Sequence, residues 1–275
     1  MKLTKAVVTG ASSGIGEALA RLLADQGISL IITGRNEKRL AELAEELRQK
    51  VQVTILVLDL AKSDQRAKLI DAIQEQLPDL VINNAGMGLY GEVVTYETER
   101  QFEVYDINAT APFEITIEAA RALIAAGKKG VIVNVASSAI YQVFPSFATY
   151  AAAKAFIKHF SESMDCETSP KGVRILTSCP GVVETRFQTR AVDHRAYAQQ
   201  RYNVMTPEFA AQDIWNQIQS GQAVRVFDWR YRVLRFFSLY LSPKAAVLWV
   251  LRRFFLGQLP PRDLVPPQPR HKELS

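Results

Sequence analysis

Residues that bind metals or form cross-links are scarce in this chain. Its two cysteines, Cys166 and Cys179, stand far apart, follow no CxxC spacing and have no clustered histidine near them. No metal centre and no disulfide framework are expected, and a reducing, cytoplasmic compartment is the simplest setting. No stretch reaches the roughly 20 consecutive apolar residues of a spanning helix, so a transmembrane anchor is rejected. Met1-Lys2-Leu3-Thr4 gives way at once to the β-branched run Ala6-Val7-Val8, which leaves no room for a signal peptide. Internal repeats are missing as well. Acidic residues are sparse at one end: residues 225–275 hold 10 of the 33 Lys and Arg but 3 of the 28 Asp and Glu. The net charge of +5 therefore belongs to that end, and no general basic surface for nucleic acid is indicated.

What is present suffices for one full core, since 48% of the 275 residues are hydrophobic. Short apolar runs at Lys5–Thr9, Ile28–Thr33, Val53–Leu58, Leu80–Asn83, Val131–Val135, Arg174–Ser178 and Ala223–Phe227 predict strands. Segments of helical period lie between them. Gly16–Asp25 carries Ala18 and Leu22 on one face, and Glu37–Lys50 repeats Leu40, Leu43, Ala44 and Leu47 among charges. Pro207–Ser220 opens with Thr206 as cap and Pro207 at its first position. The alternation predicts an α/β fold: a doubly wound, Rossmann-type parallel sheet of about seven strands with helices on both faces. Residues 1–227 would form this single domain, 228–259 a helical extension, and 260–275 an unpacked tail rich in proline.

Between the first strand and first helix lies Thr9-Gly10-Ala11-Ser12-Ser13-Gly14-Ile15-Gly16. Glycines here let backbone approach a pyrophosphate, and the exposed N–H groups and positive helix end favour the anion. Dinucleotide sites that prefer NAD often place an acid at the end of the second strand, on the adenosine ribose. That strand ends Thr33-Gly34-Arg35, which offers space and a planar, permanent cation for a 2′-phosphate. NADPH is the expected cofactor. Lys38 and Arg39 either reinforce this pocket or are solvated.

In the second half, Tyr150 follows Ser137 by thirteen positions, and Lys154 follows Tyr150 by four, on the same helix face. A free phenol, with its pKa near ~10, is a poor base at neutral pH, so a neighbouring ammonium is what proton transfer through Tyr150 needs. Alanines at 151–153 leave that face open to a cofactor ribose.

With these residues the chain resembles the short-chain dehydrogenase/reductase family. The Thr9–Gly16 turn, Asp59, Asn83-Asn84-Ala85-Gly86, Asn108, Ser137, Tyr150-Ala-Ala-Ala-Lys154 and Pro180-Gly181-Val182-Val183-Glu184-Thr185 occur in the family's order, over roughly residues 5–227. The resemblance implies that Tyr150 is the general acid for reduction and that Ser137 hydrogen-bonds the substrate oxygen. It implies that Lys154 holds the nicotinamide ribose and lowers the Tyr150 pKa, and that Asn108 distorts its helix and orders a water linking the lysine to solvent. The cofactor would lie along Gly10, Ser12, Ser13, Gly14, Ile15, Gly16 and Arg35. Asp59 with Leu60 would meet its adenine, Asn84, Ala85 and Gly86 its adenosine ribose, and Pro180, Gly181, Val183 and Thr185 its nicotinamide. Ser138 competes for the serine role, and the thirteen-residue spacing selects Ser137.

The expected activity is NADPH-dependent reduction of a ketone, aldehyde or 3-oxoacyl group. Rivals are an NADP-linked alcohol or hydroxysteroid dehydrogenase working oxidatively, and a non-catalytic NADP-binding scaffold, against which the intact Ser137, Tyr150 and Lys154 speak. Phe144, Phe147, Met87 and Tyr90, with Phe187, Tyr197, Tyr202 and Met205 in a substrate lid at 186–205, either line a lipophilic pocket or are core. Residues 229–256 place Trp229, Val233, Phe236, Phe237, Tyr240 and Leu241, then Leu248, Trp249, Leu251, Phe254 and Phe255, at helical spacing among arginines, interrupted by Ser242-Pro243. They either lie on an anionic membrane, on its cytoplasmic face, or pack on protein. A small-molecule carbonyl or alcohol is the expected substrate, and a homo-oligomer, dimer or tetramer, the expected assembly.

Overall fold

In the computed structural model the described residues are 2–141, 143–185, 187, 204–227 and 229–236, with 248, 249 and 253. The apolar runs form strands β1 (Lys5–Thr9), β2 (Ser29–Gly34), β3 (Val53–Val57), β4 (Leu80–Asn83), β5 (Gly130–Val135), β6 (Val173–Cys179) and β7 (Val224–Val226). Each end falls within one residue of the sequence-based expectation. All seven pair in parallel in the order β3-β2-β1-β4-β5-β6-β7. Parallel neighbours need crossovers, which are supplied by helices α1 (Gly14–Asp25), α2 (Glu37–Leu47), α3 (Ser63–Gln76), α4 (Thr98–Tyr105), α5 (Ala111–Ala125), α6 (Ala148–Thr168) and α7 (Pro207–Ser220). Helix α8 (Trp229–Phe236) follows β7.

Side-chain alternation along the strands builds two cores. Ala6, Val8, Ile32 and Ile82 join Leu19 and Leu23 of α1, Leu40 of α2 and Ile214 of α7 on one face. Val7, Ile31, Val81 and Ile132 join Ile73 of α3 and Ile115 and Leu123 of α5 on the other. Strands buried on both faces explain why their sequences read as nearly unbroken apolar runs. Each fully buried leucine or isoleucine contributes about 1.5–3 kcal/mol.

Helix ends follow local chemistry. The Thr206 hydroxyl accepts from Phe209 N at 3.1 Å, and α7 spans the expected Pro207–Ser220. Helix α2 stops three residues short of the expected Lys50, because its buried stripe ends at Leu47. Arg48 instead turns its guanidinium to the Val53 carbonyl (3.2 Å), tying the helix end to β3.

One polar network crosses the interior. Asn83 Nδ2 donates to Asn134 Oδ1 (2.8 Å) and Thr116 Oγ1 (3.1 Å), and Asn134 Nδ2 donates to Ser161 Oγ (2.9 Å). It fastens β4, β5, α5 and α6 together, and so fixes the height of α6 against the sheet. Among the described residues no helix is long and apolar enough to cross a membrane, and no acidic, histidine or cysteine group could hold a metal ion. The expected Ser242-Pro243 break, the tail at 260–275, and Tyr197 and Tyr202 lie outside the described residues.

Candidate active site

Because β1 pairs with β2 on one side and β4 on the other, the winding reverses beside β1. That reversal opens a crevice at the carboxyl ends of the strands, where the expected site residues gather. The glycine turn joins β1 to α1 there. Gly14 has φ of +61°, the left-handed region, and a Cβ on it would stand 2.7 Å from Thr185 Cγ2. A Cβ on Gly16 would stand 2.4 Å from the Gly10 carbonyl oxygen and 2.6 Å from Asn84 Nδ2. The turn is thus pressed between Asn84 and the loop after β6. Asn84 holds it by donating from Nδ2 to Thr9 O (2.9 Å), while Thr9 Oγ1 accepts from Asn84 N and Ala85 N, both at 2.9 Å. A backbone cradle that side chains would fill fits a dinucleotide phosphate.

Arg35 is exposed at the end of β2, as is Lys38 on α2. Arg39 is half-buried and donates from Nη1 to the Ser12 carbonyl at 3.4 Å. A Cβ on Gly34 would stand 3.0 Å from Ser12 Oγ, so a side chain there would press on that of Ser12. A groove of about 600 Å³ runs alongside, between Ser12, Ser13, Gly14, Arg39, Glu184 and Thr185. Asp59 and Leu60 follow β3; the Asp59 carboxylate accepts from Ala61 N at 3.2 Å, and Leu60 is buried.

Tyr150, on the first turn of α6, is buried beside Ser137, which follows β5. Ser138 instead starts a short 3₁₀ turn and donates its N–H to Pro180 O (2.8 Å). Lys154, one helical turn beyond Tyr150, places Nζ 5.9 Å from the Tyr150 ring centre and donates to Val135 O at 2.7 Å. Desolvation pushes the Tyr150 phenol up to about 12, opposed by the Ser137 side chain. Burial pulls the Lys154 ammonium down to about 8, opposed by a smaller electrostatic influence of Cys179. In the chain alone, then, burial outweighs any lowering of the phenol by Lys154.

Asn108 lies in a π-type turn, Asp106–Thr110, between α4 and α5. Its Nδ2 donates to Met87 O (2.6 Å) and Val104 O (2.8 Å). Its buried Oδ1 has no partner and faces Gly86, where an added Cβ would lie 2.7 Å from it and 3.6 Å from Lys154 Nζ. An unsatisfied acceptor beside an ammonium is where a proton relay fits.

Above Tyr150 lie aromatic rings. Phe147 and Phe187 have ring centres 4.8 and 5.4 Å from it, and Tyr90 and Phe144 stack outward on Phe147 at 5.8 and 6.0 Å. Met87 joins this cluster. Met205 does not: it is buried in the core and bridges backbone to Val183 at the foot of the lid. The sequence reading missed Cys179, buried at the carboxyl end of β6 with Tyr141 Oη 3.8 Å from its sulfur. The available signal was its place just before Pro180, at the carboxyl end of a strand.

Residues 4–196 match the family model described as short chain dehydrogenase. Sulfoacetaldehyde reductase 2 of Chromohalobacter salexigens is 35% identical over 212 residues, which are 76% of this chain and 84% of that protein. Sulfoacetaldehyde reductase of the same organism is 36% identical over 187 residues, 66% of this chain and 72% of that protein. Among solved structures, a short-chain dehydrogenase from Sphingobium yanoikuyae in complex with NADPH superposes with a TM-score of 0.74 at 24% identity, covering 96% of this chain and 99% of the other. The bulky-bulky ketone specific alcohol dehydrogenase from Comamonas testosteroni gives 0.74 at 24% identity, covering 96% and 98%. These two show the same fold.

Proposed function

The chain belongs to the short-chain dehydrogenase family, and on that premise we propose that it is an NADPH-dependent reductase of a ketone, aldehyde or 3-oxoacyl group carried on a lipophilic molecule. As a member it is an oxidoreductase of alcohol and carbonyl groups that uses a nicotinamide cofactor. The observation that carries the proposal is Tyr150: a buried phenol, protonated at neutral pH, beside Ser137 and one helical turn from a buried amine.

When bound, the dinucleotide supplies the hydride. Tyr150 donates its proton to the substrate oxygen, and Ser137 donates a hydrogen bond to the same oxygen as negative charge develops on it. A phenol pushed up to about 12 keeps that proton until the oxygen becomes basic enough to take it. Lys154 holds the nicotinamide ribose and stabilises the resulting phenolate, and the free Oδ1 of Asn108 receives the relay that returns a proton. Gly10, Ser12, Ser13, Gly14, Ile15 and Gly16 hold the pyrophosphate. Asp59, Leu60, Asn84, Ala85 and Gly86 hold the adenosine half, while Pro180, Gly181, Val183 and Thr185 border the nicotinamide.

Preference for the 2′-phosphate rests on Gly34, where a side chain would press on that of Ser12, and on the cation Arg35. The names of the two sulfoacetaldehyde reductases favour the reductive direction. Phe147, Phe187 and Met87 around Tyr150 favour an apolar substrate. Stacked Phe113, Phe156 and Phe160 on α5 and α6, with Phe156 exposed, favour a homo-oligomer, dimer or tetramer. A cytoplasmic location beside a membrane, touched through residues 229–256, completes the reading. Tyr150→Phe should abolish NADPH oxidation across a panel from short aldehydes to long-chain ketones and 3-oxoacyl thioesters, while NADPH still binds by fluorescence titration. Near-normal rates in that variant would remove Tyr150 from its role.

A further inference from the structure

In a parallel sheet every crossover leaves from the carboxyl edge, so the loops after β5, β6 and β7 and the start of α7 stand on one side of the molecule, around the site. Exposed apolar side chains collect there: Val143 after β5, Val182 after β6, Val204 and Phe209 at the entry to α7, and Val233 and Phe236 on α8. Phe209 and Phe236 are 51% and 54% exposed, and apolar side chains gathered on one surface mark an interaction site where singly scattered ones do not. Helix α8 belongs to this rim by construction. Val226 of β7 is level with Cys179, Phe227 N donates to Cys179 O at 3.2 Å, and α8 begins two residues later. Cys179 in turn leads into Pro180–Thr185, the loop bordering the nicotinamide in the proposed function.

The charge of this rim identifies what covers it. Residues 229–262 contain seven Lys and Arg and no Asp or Glu. Val233 and Phe236 share one helix face, with Arg230 and Arg232 to either side of it, and all four are exposed. Leu248, Trp249 and Arg253 are exposed as well. A second copy of the chain brings only a slight acidic excess to meet these cations, since residues 1–224 carry 23 Lys and Arg against 25 Asp and Glu. An anionic lipid surface meets both requirements: acyl chains take the aromatic and aliphatic side chains, and head groups take arginines that reach up beside them.

We propose that the rim formed by α8 and the loops after β5 and β6 docks on an anionic membrane, so that the mouth of the active site faces the bilayer. The docking stands on the rim itself; that the carbonyl compound then enters from the lipid rests on the function proposed above.

The test uses the full chain, sedimented with phosphatidylcholine vesicles with and without phosphatidylglycerol. It should pellet with the anionic vesicles alone and be released by salt. At about fivefold per cation, Arg230→Gln with Arg232→Gln should weaken vesicle partition roughly 25-fold. Trp249→Asp should weaken it as well. NADPH oxidation with a water-soluble aldehyde, measured in parallel, should be unchanged in both variants, which shows that they are folded. Failure of the wild type to pellet with anionic vesicles overturns the proposal. So does equal pelleting of wild type and arginine variant, or a Trp249→Asp variant that splits a larger assembly in sedimentation velocity while its vesicle binding is unchanged. If the wild type pellets yet reduces no aldehyde or ketone, the enzymatic reading fails and the docking stands.

Discussion

Lys154 lets the burial of the site be measured without any substrate. Its side chain is enclosed between α6 and β5, donating to Val135 O, and burial lowers its pKa from 10.5 to about 8. In the unfolded chain the amine keeps its proton up to the ordinary value, whereas in the folded chain it releases it near pH 8. Between those two values the unfolded state binds more protons, so this group makes stability rise with pH across that window. Replacing it by Lys154→Met removes the titration. At 1.36 kcal/mol per unit, integration from about pH 7 to about pH 10 gives the wild type a gain of roughly 2–3 kcal/mol relative to the variant.

Loss of the bond to Val135 O and the change in packing shift the variant by an amount that does not depend on pH, so they drop out of the comparison. Tyr150 is common to both proteins. Its raised pKa works the other way, removing stability as pH climbs from 10 towards about 12, and it cancels in the difference. Urea unfolding followed by circular dichroism, with dinucleotide absent, measures the gap at each pH. A gap that stays constant within about 0.5 kcal/mol would show that the amine is solvated, and would remove the electrostatic basis for pairing it with Tyr150.

Two further outcomes follow from the cofactor turn. Gly16→Ala places a methyl 2.4 Å from the Gly10 carbonyl oxygen, a backbone atom with nowhere to retreat. It should lower stability by about 1–3 kcal/mol in urea unfolding and weaken NADPH binding at least tenfold by fluorescence titration, and unaltered binding would show that the turn is looser than described. Arg35→Asp should raise the Michaelis constant for NADPH far more than that for NADH; equal increases would mean that Arg35 does not read the 2′-phosphate.

Sequence disclosed those features whose cause is local. The bounds of β1 are set by an apolar run that ends at a glycine, and those of α7 by Thr206, Pro207 and the left-handed Gly221. Tyr150 and Lys154 are neighbours because of helical pitch alone. Features set by contacts between distant segments stayed hidden. The end of α2 is decided by where its apolar stripe stops meeting the sheet, since Arg48 and Lys50 are good helix formers on the page. The π-type turn at Asp106–Thr110 leaves no compositional trace, and only the family resemblance implies a distorted helix at Asn108. Cys179 looks like any core residue until β5 and β6 are laid side by side, and Met205, grouped by position with the lid, belongs to the core because it bridges to Val183.

The division has a consequence for the chemistry. A helix face can bring a phenol and an amine together, but the pitch says nothing about the medium between them, and the medium decides the sign of the shift. Here the sheet, Phe147 and Phe187 exclude water from Tyr150, so its pKa rises rather than falls in the chain alone. A phenol held in that state is a poor base and a persistent acid. Enclosure therefore holds Tyr150 in the protonated form, the one that can donate to a carbonyl oxygen. That protonation state comes from packing, a level of the structure that residue spacing does not reach.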